Sequence, residues 1–388
     1  MTPEEPSTES VTSAERSRTA PSTRYYRPEL DILRFLAVTL VVQLHLVPTP
    51  QGASFLERSL RALHRSGGAG VCLFFLLSAF LITELFLREI EATSTVHVRS
   101  FYSRRILRIW PLFFFVLLLA VIFSVIPPRT PVSRSTLLAF VLLAGNWHVI
   151  LHGWPPGFIQ PLWSISIEEQ FYGLWPAIVK RGGRKAVAAC SIIFWCAAFT
   201  TLLVLGARKS TFDPGAWLNS FVQFQFFAIG AALALLLHHR PVRLNGYIRL
   251  LLFLAGIVAI TLASPVSHLM STSRITHTYA ALPAYLWTDV GCVLLFLSLA
   301  GSTPPRLCNG LVYLGKISFG LYMYHVFVWY LVSEWINAHR LRLDHPDLTI
   351  MCLSIPITIG LAVLSYHFLE SPFLRLKKRF TLIPSREV

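Results

Sequence analysis

Apolar runs long enough to enter a bilayer recur along almost the whole chain, from residue 30 to residue 370. A run of this kind cannot stay in water, and in lipid its backbone must satisfy every hydrogen bond internally, so it becomes a helix. The segments fall near 30–48, 69–87, 109–126, 135–150, 165–179, 186–206, 218–238, 248–264, 281–301, 311–335 and 347–369. Among the 388 residues, 54% are hydrophobic and 14% charged, too little charge for a soluble protein of this length. The sequence thus predicts one all-α, polytopic membrane domain over 25–375. It is preceded by a disordered tail, 1–24, and followed by a short basic tail, 376–388. The first tail is rich in Ser, Thr, Glu and Pro and has no apolar core, so it does not read as a signal peptide.

Two of the eleven segments, 135–150 and 165–179, are short for spans of about 20 residues. Charge decides between the arrangements. If only one net crossing lies between 127 and 180, the clusters at 88–108, 180–185, 240–249 and 375–379 all share the side of the N-terminus. That side then holds more than twice as many lysines and arginines as the other. If both short segments cross, the bias inverts. The positive-inside rule favours the first arrangement. It predicts about ten transmembrane helices, both termini cytoplasmic, and one re-entrant element between 127 and 180. The loop 151–162, with Gly153, Pro155, Pro156 and Gly157, suits such a break. The location expected is the inner (plasma) membrane, with the lipid bilayer as solvent.

The net charge of +15 sits in short clusters between apolar runs, which excludes nucleic acid as a partner. Six cysteines form no C-x-x-C pair and lie mostly within apolar runs, so they predict neither a disulfide framework nor a metal site. No fixed-period repeat or inverted half is visible, which disfavours a transporter.

Against this background the polar residues stand out. Glu168 and Glu169 lie side by side within an apolar stretch, where each carboxylate costs at least ~2.5 kcal/mol. On a helix Glu168 shares a face with Tyr172 and Trp175, and Glu169 with Gly173 and Pro176. In the first segment Arg34 and His45 are eleven residues apart, close to three turns, so both lie on one stripe ~16 Å apart along the axis. Asp31, one turn before Arg34, can hold its guanidinium. The competing reading is an arginine snorkelling to headgroups and an interfacial histidine. Arg104, Arg105 and Arg108 present a fork of guanidiniums on one helical face, suited to phosphates. Plain positive-inside signalling would need the same residues. Ser318, Tyr322 and His325, spaced by four and three, share a face of the tenth segment.

Taken in order, these pieces resemble acyltransferase family 3, the bacterial membrane proteins that O-acetylate surface polysaccharides, peptidoglycan and some antibiotics. The resemblance spans residues 28 to about 375. It rests on Leu30-Asp31 with Arg34 and His45, on Phe74-Phe75-Leu76-Leu77-Ser78-Ala79-Phe80, and on Arg105-Ile-Leu-Arg108-Ile-Trp-Pro111. It continues through Trp163-Ser164-Ile-Ser-Ile-Glu168-Glu169-Gln-Phe-Tyr172, Ser318 to His325, and Glu370-Ser371-Pro372-Phe373. Ala79 and Ile32 stand where the family usually has glycine. Neither touches an ionisable group. Some family members carry a C-terminal hydrolase-like domain, and the 18 residues after Glu370 suggest a copy that stands alone.

The resemblance implies an enzyme that moves an acyl group from acyl-CoA, acetyl-CoA first, to a hydroxyl of a carbohydrate or glycolipid acceptor. Acyl-CoA would be a co-substrate, with no bound cofactor. Arg34, Arg104, Arg105 and Arg108 would bind the donor. His45 would act as general base or acyl relay, and Glu168 or Glu169 would orient its imidazole. Asp31, Ser164, Tyr172, Ser318, Tyr322 and His325 would line the pocket. The alternative is a transporter or flippase that uses the same charges as a path. Acyl-CoA consumption separates the two.

Overall fold

A computed structural model describes residues 25–52, 54–126, 131–207, 215–240, 242–263, 279, 281–341, 343–381 and 383. The expected N-terminal tail, and the last residues of the C-terminal one, lie outside the described residues. All regular structure among those described is helical. The helices are α1 (Pro28–Leu46), α2 (Phe55–Arg65), α3 (Ala69–Thr93), α4 (Val98–Val125), α5 (Arg134–Val141), α6 (Gly145–His152), α7 (Trp163–Ala207), α8 (Gly215–Leu218), α9 (Ser220–Leu237) and α10 (Gly246–Leu262). They continue with α11 (Ala281–Leu299), α12 (Asn309–Lys316), α13 (Ser318–Ala338), α14 (Pro346–Ser365) and α15 (Ser371–Lys377).

Local chemistry sets the ends. Pro28 and Pro346 open α1 and α14, where a missing N–H costs nothing. Ser54 and Glu57 form a reciprocal cap on α2, and Asn219 and Asn245 cap α9 and α10. Gly183 adopts φ 51° and ψ −141°, outside the helical region, and divides α7 between the segments read as 165–179 and 186–206. Glycine tolerates that backbone without a Cβ penalty.

Large apolar side chains lie on the outside as well as in the core. Leu118, Val125, Ile192, Leu250 and Val258 are exposed. Asn146, Gln223, Gln225 and Asp289 are buried. This is the distribution lipid demands. A stacked aromatic seam joins α3, α7 and α9: Phe227 lies 4.6 Å from Phe75 and 4.3 Å from Phe171, ring centre to ring centre. Small residues bring the helices close. A Cβ on Gly230 of α9 would sit 2.2 Å from the Leu76 carbonyl oxygen of α3. One on Gly315 of α12 would sit 1.8 Å from the Asp31 carbonyl oxygen of α1. Neither position accepts a side chain without parting two backbones.

Six helical stretches among the described residues are long and apolar enough to cross a membrane, or seven with the pair α12 and α13, bent by 61°. The expected count of ten is not reached by that measure, for three physical reasons. α1 carries Glu29, Asp31 and Arg34 in its first two turns. α10 has only 17 residues. The stretch Gly157–Ala207 counts once although Gly183 divides it. The short segment 135–150 is broken: α5 and α6 have 8 residues each, about 12 Å at 1.5 Å per residue, against a hydrocarbon core of about 30 Å. Leu143, at φ 58°, marks the break. The stretch read as a basic tail begins as helix. α15 runs across the 375/376 boundary, and a 3-10 turn continues to Phe380.

Candidate active site

A cavity of about 180 Å³ opens among α1, α3, α4, α7 and α13. Its wall contains Asp31, Arg34, Arg104, Arg105, Arg108, Ser164, Glu168, Tyr172, Ser318 and Tyr322, ten of the thirteen residues the sequence singled out. His45, Glu169 and His325 lie outside that wall.

The basic end is assembled from separate elements. Arg34 Nη1 donates to Asp31 Oδ1 at 2.6 Å, and Tyr26 donates to Asp31 Oδ2 at 3.0 Å. The helical spacing of three predicted the first contact. Arg104 meets Glu89 at 3.6 Å and donates to the Phe380 carbonyl at 2.7 Å. Arg105 lies over the rings of Tyr172 and Phe101, its guanidinium carbon 4.9 and 5.4 Å from their centres. It makes no ion pair or hydrogen bond among the described residues, so its N–H groups remain available to an anion. Burial pushes the Tyr25 hydroxyl, also in the wall, above its usual pKa, and it stays neutral beside these charges.

The two acids separate, as their helical register suggested. Glu168 faces the cavity and accepts a hydrogen bond from Tyr172, whose hydroxyl also lies 2.5 Å from Ser78 Oγ. Glu169 turns toward α4 and accepts from Trp110 Nε1 at 3.3 Å. Gln170, next in line, donates to the Leu143 carbonyl and to Asn146 Oδ1, at 2.9 and 3.0 Å. Asn146 in turn donates to the Leu218 carbonyl and to Ser220 Oγ. These bonds tie the broken segment to α7 and α9, so the irregular backbone at 142–144 sits against protein, where it can be tolerated.

At the far end Tyr322 donates to the Pro161 carbonyl at 2.9 Å, with Ser164 Oγ 2.7 Å away. One turn on, His325 is fully buried. Its Nδ1 lies 2.6 Å from the Tyr322 carbonyl, and its Nε2 has no hydrogen-bond partner among the described residues. The His325 ring meets His45 edge to face at 5.0 Å. His45 itself is exposed, and its Nδ1 lies 2.9 Å from the Val41 carbonyl. A carbonyl only accepts, so Nδ1 carries the hydrogen in both rings, and in the neutral form Nε2 carries the lone pair. Neither glutamate touches His45. The expected carboxylate partner for this imidazole is replaced by a second imidazole.

Sequence reasoning did not single out Ser78, Glu89, Trp110 or Lys377. Ser78 and Trp110 lay within the quoted motifs, but an isolated serine or tryptophan carries no signal of its own. Lys377, with Thr381 and Ile383, brings the C-terminal segment into the cavity wall. Nothing in its composition distinguished it from a solvated tail.

Fold and site together define a membrane-type helical bundle with a basic internal cavity and a histidine pair beyond it. The chain belongs to acyltransferase family 3, whose acyltransferase-domain model matches residues 27–367. Relatives include the peptidoglycan O-acetyltransferase OatA of Listeria monocytogenes, 33% identical over 171 residues, or 42% of this chain and 25% of the relative. The Bacillus subtilis protein YrhL, provisionally named a peptidoglycan O-acetyltransferase, is 26% identical over 89% of this chain and 55% of its own length. A provisionally named O-acetyltransferase of Staphylococcus aureus is 25% identical over 90% of this chain and 57% of its own length. The chain thus spans little more than half of these last two relatives and a quarter of the first. No solved structure matches it.

Proposed function

We propose that the chain is a membrane O-acyltransferase that takes an acyl group, acetyl first, from acyl-CoA and delivers it to a hydroxyl of a carbohydrate or glycolipid acceptor. The observation that carries this reading is the division of the polar residues. Arginines gather in a cavity at one end of α1, and an exposed histidine with a free Nε2 lies at the other. In this reading the protein crosses the plasma membrane about ten times with both termini inside. The arginine end faces the cytoplasm and the His45 end faces the acceptor.

Arg105, with Arg34, Arg104 and Arg108 around it, binds the phosphates of CoA, which guanidinium forks suit. The pantetheine arm runs along Ser78 and Tyr172 toward Ser164 and Tyr322, and the thioester lies near the histidine pair. The acceptor oxygen attacks the thioester carbonyl carbon. Its proton passes to His45 Nε2, the C–O bond forms, the C–S bond breaks, and the departing thiolate takes the proton. The Val41 carbonyl holds the Nδ1 hydrogen and so keeps the lone pair on the working nitrogen. In the relay variant Nε2 takes the acyl group first and passes it on.

Purified protein in nanodiscs, supplied with acetyl-CoA and a hydroxyl-rich glycan extract, tests this. The expected result is acceptor-dependent CoA release in wild type and none in His45→Ala. Labelled acyl group retained on the protein without acceptor selects the relay. Equal release by both proteins removes His45 from the chemistry. No release and no acetyl-CoA binding returns the charges to a transport role.

A further inference from the structure

Outside the cavity, among the described residues, the fold assembles one cluster of metal-ligating side chains. Glu91 lies in the last turn of α3, and His238 and His239 directly follow α9. His238 Nε2 is 2.7 Å from Glu91 Oε1, and His239 Nε2 is 2.9 Å from Glu91 Oε2. The three ligand atoms lie within 4.8 Å of one another. The sequence offers no metal-ligand spacing here, because 147 residues separate Glu91 from His238.

Three features distinguish this cluster from a surface ion pair. First, the His238 side chain is only 1% exposed, and its other nitrogen, Nδ1, is 2.8 Å from Glu84 Oε2. A carboxylate gripping the far nitrogen is the arrangement that orients a metal-bound histidine. Glu84 is fixed in turn by Arg88 Nε at 2.7 Å. Second, a neutral imidazole donates from one nitrogen only, yet both nitrogens of His238 face carboxylates. A cation bound by both Nε2 and Glu91, with the exposed carboxylate drawn back to admit it, would need no second ring proton. Third, His239 sits at φ 56°, left-handed and uncommon for a residue with a Cβ. That turn folds its ring to 4.1 Å from the His238 ring, which brings the second nitrogen to Glu91.

We propose that Glu91, His238 and His239 form a divalent transition-metal site that staples the end of α3 to the end of α9. Two imidazoles and one carboxylate, with a fourth position open to water, suit zinc best. On binding, the ion takes the places of the hydrogens between Nε2 and the carboxylate, and these leave to solvent. The partly exposed Glu91 and His239 side chains adjust to the metal while Glu84 keeps His238 in place.

The test uses full-length protein without a polyhistidine tag, dialysed against Zn²⁺ and then gel-filtered. Zinc is counted by mass spectrometry, and melting is followed with and without added Zn²⁺. Wild type is expected to hold about one zinc per chain and to melt higher with it. His239→Ala, at an exposed position, is expected to elute and melt like the zinc-free protein, and to lose both the zinc and its effect. Glu84→Gln keeps all three ligands and is expected to weaken zinc binding by about 10–100-fold. No zinc on wild type, or equal zinc on His239→Ala, overturns the proposal.

Discussion

The arginine end of the cavity and the histidine end of α1 are built in opposite ways. At the arginine end, most charges are anchored by groups from elsewhere in the chain or one turn away: Asp31 for Arg34, Glu89 and the Phe380 carbonyl for Arg104, two aromatic rings for Arg105. At the histidine end, each imidazole's hydrogen-bond anchor among the described residues is a carbonyl of its own helix, and no acid among them touches either. A phosphate seat needs fixed, permanent positive charge, which guanidiniums supply. A proton-transfer group needs instead a lone pair able to take a proton, and a backbone carbonyl holding the Nδ1 hydrogen leaves that pair on Nε2. On the proposed function, this difference divides binding from chemistry, and it can be attacked from either side.

The largest effect is expected at His45. His45→Ala should lower acyl transfer by about 100-fold or more, the scale of a lost general base, while acyl-CoA binding stays within a factor of two or so. A matching loss of donor affinity, measured by calorimetry, would break the division. Arg105→Ala should do the reverse. The KM for acyl-CoA should rise about tenfold or more, as for a lost charge-assisted contact, with a smaller change in kcat. Arg105→Lys should recover only part of this, because an ammonium loses the planar fork and the stacking over Tyr172.

The acids sharpen the comparison. Glu168→Gln alters a cavity wall and should cost about tenfold in kcat/KM, whereas Glu169→Gln, which keeps an acceptor for Trp110, should cost less than about threefold. Parallel kinetics on the two variants check this, and equal losses would mean that helix register does not sort their roles. The smallest effect on turnover is expected from Tyr322→Phe. It strips the Pro161 carbonyl and Ser164 of a partner and should destabilise the fold by about 1–3 kcal/mol, read as a lower melting temperature.

The residues most legible in sequence were those whose neighbours lie within one helix. Asp31 with Arg34, and the opposite facing of Glu168 and Glu169, follow from 3.6 residues per turn. Contacts between helices were not legible. The His45–His325 pairing joins residues 280 positions apart, and nothing in either segment announces the other. The break inside 135–150 was hidden for a related reason: hydropathy averages over a window, whereas Leu143 divides that segment by backbone angle. The role of the C-terminal segment was not legible either: Lys377, Lys378 and Arg379 read as part of a basic tail, and Lys377, at the end of α15, lies in the cavity wall.

Gly315 lies flush against the carbonyl of Asp31, the residue that holds Arg34. That contact is backbone on backbone and offers no side chain to vary. On the proposed function, a lineage exploring new acceptors can change the surroundings of His45 one residue at a time. Any step that lifts α12 from α1 shifts the seat of Arg34 all at once. In that reading acceptor preference is open to gradual evolution, while the donor end is locked by the geometry of two touching main chains.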